Sequence, residues 1–125
     1  MKTLSNLAFA APLFVAVYSG LYPMAILIST AMVVSAAYHA YGGQRLRLTD
    51  HLTAYALIFA NLYLIYLFEF EYPYFSIALL FVAVAFHFYF RDDVKRQDFN
   101  HSMWHLSSAA VTLVCVLGYI NYHVA

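Results

Sequence analysis

Long apolar runs alternate with short polar breaks along the whole chain. The runs cover about Thr3–Ser19, Tyr22–Tyr41, His51–Phe68, Tyr74–Phe90 and Ser102–Tyr122. Each has roughly 17–21 residues, close to the ~20 that a helix needs to cross a hydrocarbon core. A bilayer offers the backbone no outside hydrogen-bond partner, so such runs are expected to be helical. The breaks fall at Gly20–Pro23, Gly42-Gly43-Gln44, Glu69–Pro73 and the polar stretch Arg91–Asn100. All are short, which predicts that consecutive helices lie antiparallel as neighbours. Pro12 predicts a kink in the first run. Ser19-Gly20-Leu21-Tyr22-Pro23 carries turn chemistry and separates two runs that a four-helix reading would merge. The expectation is an all-α integral membrane bundle of about five transmembrane helices, a single domain over residues 1–125.

Composition supports that class. The chain is 65% hydrophobic and 10% charged, against about 25% charged residues in an ordinary soluble domain. Its formal net charge is zero and it has no basic tract, so nucleic acid is not an expected partner. The lipid bilayer is. Lone Cys115 lies within an apolar run and reads as a packing residue. Lys2 followed by the run Leu7–Val17 looks like a signal peptide, but no small-x-small cleavage pattern follows it, so it reads as a retained first helix. With alternating helices, Lys2, Arg45, Arg47, Arg91, Lys95 and Arg96 all fall on one face, and Glu69 and Glu71 on the other. The positive-inside rule then makes the N-terminus cytoplasmic. Very short loops and no further targeting signal point to a bacterial inner membrane.

The candidate chemistry lies on the basic side. His101 and His105 sit four residues apart near the start of the last run, which puts both imidazoles on one helical face. Histidine is rare inside membrane segments and marks a functional site there by default. Helix parity brings His39, near the end of the second run, and Asp50, at the start of the third, to the same depth. Ser35 lies four residues before His39 and shares its face. Three neutral imidazoles with an open fourth position suit a catalytic zinc ion, which lowers the pKa of its water to about 7. Asp50 is placed to act as general base or to anchor that water. Ser35 is placed to donate a hydrogen bond to a developing oxyanion. His51, His87 and His123 read instead as histidines bonded between helices, and Trp104 as an interfacial anchor.

The pattern Ser35-x-x-x-His39, an aspartate eleven residues on at Asp50, and His101-x-x-x-His105 on the last helix resembles the CREST superfamily of membrane hydrolases. That group includes alkaline ceramidases, progestin/adiponectin receptor proteins, and domains similar to the GPI-lipid phospholipase and the fusion protein myomaker. Ser5-Asn6 with Phe9 and Pro12 also resembles the ceramidase opening helix. The resemblance implies a zinc-dependent amide or ester hydrolase acting on membrane lipids, with zinc on His39, His101 and His105 and with Asp50 and Ser35 assisting. Members usually have seven helices. Loss of one pair would preserve parity but open the side of the bundle, so lipid or a homo-oligomer is expected to fill the gap. Only Met1 to Thr3 precede the first run, so the acidic calcium-binding stretch of the ceramidases is not expected here. A non-catalytic zinc protein, receptor-like or fusion-related, is the alternative. A haem-binding electron carrier using His39, His87, His101 and His105 is a third, but it has no use for Asp50 and Ser35.

Overall fold

The computed structural model of the chain describes residues 7–90 and 97–124, excepting the side chains of 97–99, 101 and 124. The described residues are helical, without strands. A 3-10 turn, Leu7–Phe9, leads into α1 (Ala10–Tyr18). Then follow α2 (Tyr22–Tyr41), α3 (Gln44–Leu67), α4 (Tyr74–Tyr89) and α5 (Gln97–Val124). Helices α2 and α3, and Ser102–His123 of α5, are long and apolar enough to cross a membrane. These mark the chain as a membrane protein.

Several boundaries differ from those the apolar runs predict. Helix α3 starts at Gln44 rather than His51, and α5 at Gln97 rather than Ser102. Apolarity tracks contact with lipid, whereas a helix continues through Arg, Leu and Gln, which are good helix formers. Asp50 therefore lies in the second turn of α3, not at its start. Helices α1 and α4 are shorter than the other three. The 16 residues of α4 give a length of about 24 Å, less than a ~30 Å hydrocarbon core.

Glycines make the sharp reversals. Gly42 and Gly43 have φ of 69° and 100°, in conformations that cost little only without a Cβ. They let α3 fold back beside α2 after a two-residue turn. Gly20, at φ 78°, closes α1, and Pro23 sits in the first turn of α2. The reversal that sequence chemistry placed at Gly20–Pro23 is thus present.

Helix α5 organises the packing. About twice as much of its span is buried as of α2 or α3. Helices α1, α2, α3 and α5 contact one another in a ring, with α1 against α5. Helix α4 lies outside the ring, with its broad contact on α5 rather than on α3, its neighbour in sequence. The rule that consecutive helices pack together thus fails at this one joint, for two reasons visible nearby. Gly118 on α5 is so close to the α3–α4 turn that a Cβ there would lie 2.9 Å from Phe68 Cε2 and 3.0 Å from Tyr74 Cβ. The Tyr122 hydroxyl also donates to the Glu69 carboxylate. Both hold the turn against α5, and the buried small residues Ala78 and Ala85 let α4 follow.

Two rungs fix the register of α3 on α5. The Asn61 Nδ2 amide donates to Thr112 Oγ1 at 3.1 Å, and Phe68 meets Gly118. The sequence offsets are 112 − 61 = 51 and 118 − 68 = 50, so the two helices run parallel and nearly level. The outer surface is far more apolar than that of a soluble protein, and several polar residues are buried. Ser35, Asn61, Asn100, Ser102, His105, Ser107 and Thr112 are buried, while Phe14, Leu52, Phe59, Leu62 and Leu80 are exposed. Lipid replaces water as the surrounding medium, so large apolar side chains also face out, while buried polar residues join an apolar core that includes Ile28, Leu64, Phe68 and Val116.

Candidate functional site

The site is built where the end of α2 meets the start of α5. His39 lies in the last turn of α2. His105 lies in the third turn of α5 and is 8% exposed. Their ring centroids are 5.7 Å apart, with the planes tilted by 54°. Two histidines 66 positions apart in sequence thus face each other across one helix gap.

Asp50 comes back to this layer through the Gly42–Gly43 turn. It is partly buried and within electrostatic reach of His39 and His51. The parallel register of α3 and α5 extends to it: the offset of 51 puts Asp50 level with His101 on the α5 backbone. The His101 side chain lies outside the described residues. Arg45 and Arg47 stand in the first turn of α3, so this is the basic end of the bundle, and Glu69 and Glu71 mark the other end.

Ser35 is 5% exposed, and its Oγ has no hydrogen-bond partner. The threonines elsewhere make plain how unusual that is. Thr30, Thr49 and Thr112 each donate to the carbonyl one turn back, and Thr53 to that of Asp50. A buried hydroxyl that skips this local bond carries a desolvation cost. Ser102 repeats the situation on α5, at 3% exposed with an unpartnered Oγ. Asn100 is 4% exposed, with both carboxamide atoms unpartnered. Ser102 and Asn100 were not foreseen as site residues. Ser102 could have been found from its place between two histidines and its i, i+3 relation to His105; for Asn100 the sequence carries no signal.

The donor set can be tested against zinc. Two imidazoles sharing one tetrahedral ion at ~2.1 Å Zn–N would have centroids roughly 5 Å apart, and the observed 5.7 Å is near that. A carboxylate within electrostatic reach of one of the two imidazoles matches the usual ligand-and-partner arrangement around zinc. His39 and His105 are thus spaced as two ligands of such an ion would be. Among the described residues, which leave out the His101 side chain, no group of three His, Cys, Asp or Glu side chains is spaced to hold a metal.

The remaining candidates fall elsewhere. His51, His87 and His123 are exposed, which corrects the expectation that they bond between helices. Their polar rings sit near helix ends, where water and lipid headgroups can serve them. Trp104 packs at a tilt against Tyr89 at 4.8 Å and Phe86 at 6.1 Å, tying α4 to α5. Cys115 is fully buried against the helix core. Phe9 and Pro12 are buried in the first helix, whereas Ser5 and Asn6 lie outside the described residues. Comparison of the chain with protein-family models, with curated proteins and with solved structures found no match.

Proposed function

We propose that the protein is a zinc-dependent intramembrane hydrolase that cleaves an amide or ester bond of an acyl lipid. The observation that carries this is the His39–His105 ring pair, 5.7 Å apart, beside a partly buried Asp50 and an unpartnered Ser35. His39, His105 and His101 would hold the ion. Zinc bound there would supply a water whose pKa falls to about 7.

The chain's own groups then have distinct tasks. Asp50, within electrostatic reach of His39, would take the proton from the attacking water or hold that water in line. Ser35 Oγ has a free donor within a dry layer, and it would serve the carbonyl oxygen as negative charge develops there. Burial of Ser35 strengthens its hydrogen bond to that oxygen. The resemblance to the CREST pattern at Ser35, His39, Asp50, His101 and His105 favours the same roles.

All five helices are read as crossing the membrane, α1 and α4 by locally thin lipid or by flanking residues. The concentration of Lys and Arg at the basic end makes that end cytoplasmic, in a bacterial inner membrane. The lipid would enter sideways from the cytoplasmic leaflet, with its carbonyl at the depth of the histidines. To test this, zinc-loaded protein is incubated with a mixed lipid extract and the products are read by mass spectrometry. Free fatty acid should be released, and release should stop on chelation and resume on adding zinc. A zinc-loaded protein that releases nothing from any lipid class overturns the proposal.

A further inference from the structure

We infer that Ser102 is a positioning residue that hydrogen-bonds the polar head of the acyl lipid, on the head-group side of the scissile bond; this rests on the hydrolase reading above. Its premise is the pair of buried, unpartnered hydroxyls that bracket the histidines. Ser102 lies three residues before His105 on α5 and shares its face. Ser35 lies four residues before His39 on α2. Both oxygens lack a partner.

Helix direction decides which side each one serves. Helix α2 runs toward the basic end and turns into α3, which is parallel to α5. So α2 and α5 are antiparallel. At 1.5 Å rise per residue, Ser35 stands about 6 Å from His39 toward the middle of the bundle. Ser102 stands about 4.5 Å from His105 toward the basic end. The two orphan hydroxyls are thus on opposite sides of the histidine layer, roughly 10 Å apart along the axis.

A lipid of the leaflet at the basic end must enter head outward and tail inward. With its carbonyl at the histidines, the acyl side that bears the carbonyl oxygen lies toward Ser35 and the alcohol or amine side toward Ser102. A hydroxyl can donate and accept, so Ser102 suits a head that carries a free hydroxyl close to the acyl linkage. A head without one leaves Ser102 unpaired, which is how a buried polar group rejects the wrong ligand.

The test uses the full chain in nanodiscs with two non-cleavable probes, 1-O-hexadecylglycerol, which has head hydroxyls, and hexadecyl methyl ether, which has none. Ser102→Ala should weaken binding of the alkylglycerol about tenfold, the equivalent of one hydrogen bond, and leave the methyl ether unchanged. Ser102→Thr, which keeps the hydroxyl, should restore part of the loss. Zinc content should be the same in all three proteins. Equal binding of the alkylglycerol by wild type and Ser102→Ala overturns the assignment, as does a parallel loss for both probes with a lowered unfolding temperature. The two readings part cleanly. A wild type that cleaves no lipid, yet binds the alkylglycerol through Ser102, sinks the hydrolase and keeps the head-group contact. One that cleaves lipid with Ser102→Ala indifferent in KM does the reverse.

Discussion

At the scale of single residues, the centre is marked by groups that are worse off than they need be. Ser35 and Ser102 could have donated to the carbonyl one turn back, as Thr30, Thr49 and Thr112 do, and they do not. Buried orphan hydroxyls of this kind cost about 1–3 kcal/mol, a pattern of stability given up at functional sites. Ser35→Ala is therefore expected to stabilise the protein by about 1 kcal/mol in reversible unfolding in mixed micelles, while cutting hydrolysis on the order of a hundredfold. A drop in stability would show that Ser35 has a structural partner. Asp50→Asn should keep zinc and lose about 10²–10⁴ in rate; surviving activity, read by fatty-acid release, would leave Asp50 a structural neighbour of His39. The sequence made His39, Asp50 and His105 legible because helical spacing and parity are simple rules. It did not make Ser102 or Asn100 legible as orphans, since whether a hydroxyl finds a partner depends on rotamers and close packing that no spacing rule encodes.

At the scale of elements, the turn between α3 and α4 carries most of the architecture. Phe68 rests on Gly118, and Tyr122 reaches Glu69. Gly118→Leu should therefore cost about 1–3 kcal/mol by overpacking, with Phe68→Ala in the same chain recovering part of it. Additive losses in that double-mutant cycle would mean the two do not touch. The Asn61–Thr112 contact joins α3 to α5 in the apolar middle. Thr112→Val should cost roughly 0.6–1.7 kcal/mol, the range for buried polar pairs between membrane helices, measured by the same unfolding assay. The apolar runs made the number and order of helices legible. They misplaced the starts of α3 and α5, because Gln44–Asp50 and Gln97–His101 are polar yet continue the helix. Nor could they show that α4 leaves its sequence neighbour for α5, since that preference resides in Gly118, a glycine within a long apolar run.

At the scale of the whole molecule, the ring of α1, α2, α3 and α5 bears on how a short bundle could enclose a site. Loss of a helix pair from a seven-helix plan predicts an open side, yet α1 closes against α5 along its length. What is left uncovered is the far face of α4 and the outer faces of α2 and α3, lined by Ile26, Val33, Leu52, Phe59, Leu62, Leu79 and Leu80. These are surfaces for lipid. The placement of Lys and Arg sets the orientation proposal: a tag after Ala125 should be reached by an impermeant reagent from the outer side of intact cells, and protection from it would reverse the topology. At this scale the membrane class and the apolar outer surface follow from composition alone, whereas the closure of the ring depends on packing by Phe9, Pro12 and Ala16.

The layer of His39, Asp50, His101 and His105 stands or falls as a metal centre. Elemental analysis of the purified protein, wild type beside His105→Ala, measures this most directly. About one zinc per chain is expected in the wild type, with loss in the variant, because two remaining imidazoles hold the ion poorly. A wild type without zinc, or a His105→Ala protein that keeps the same zinc content, would contradict it.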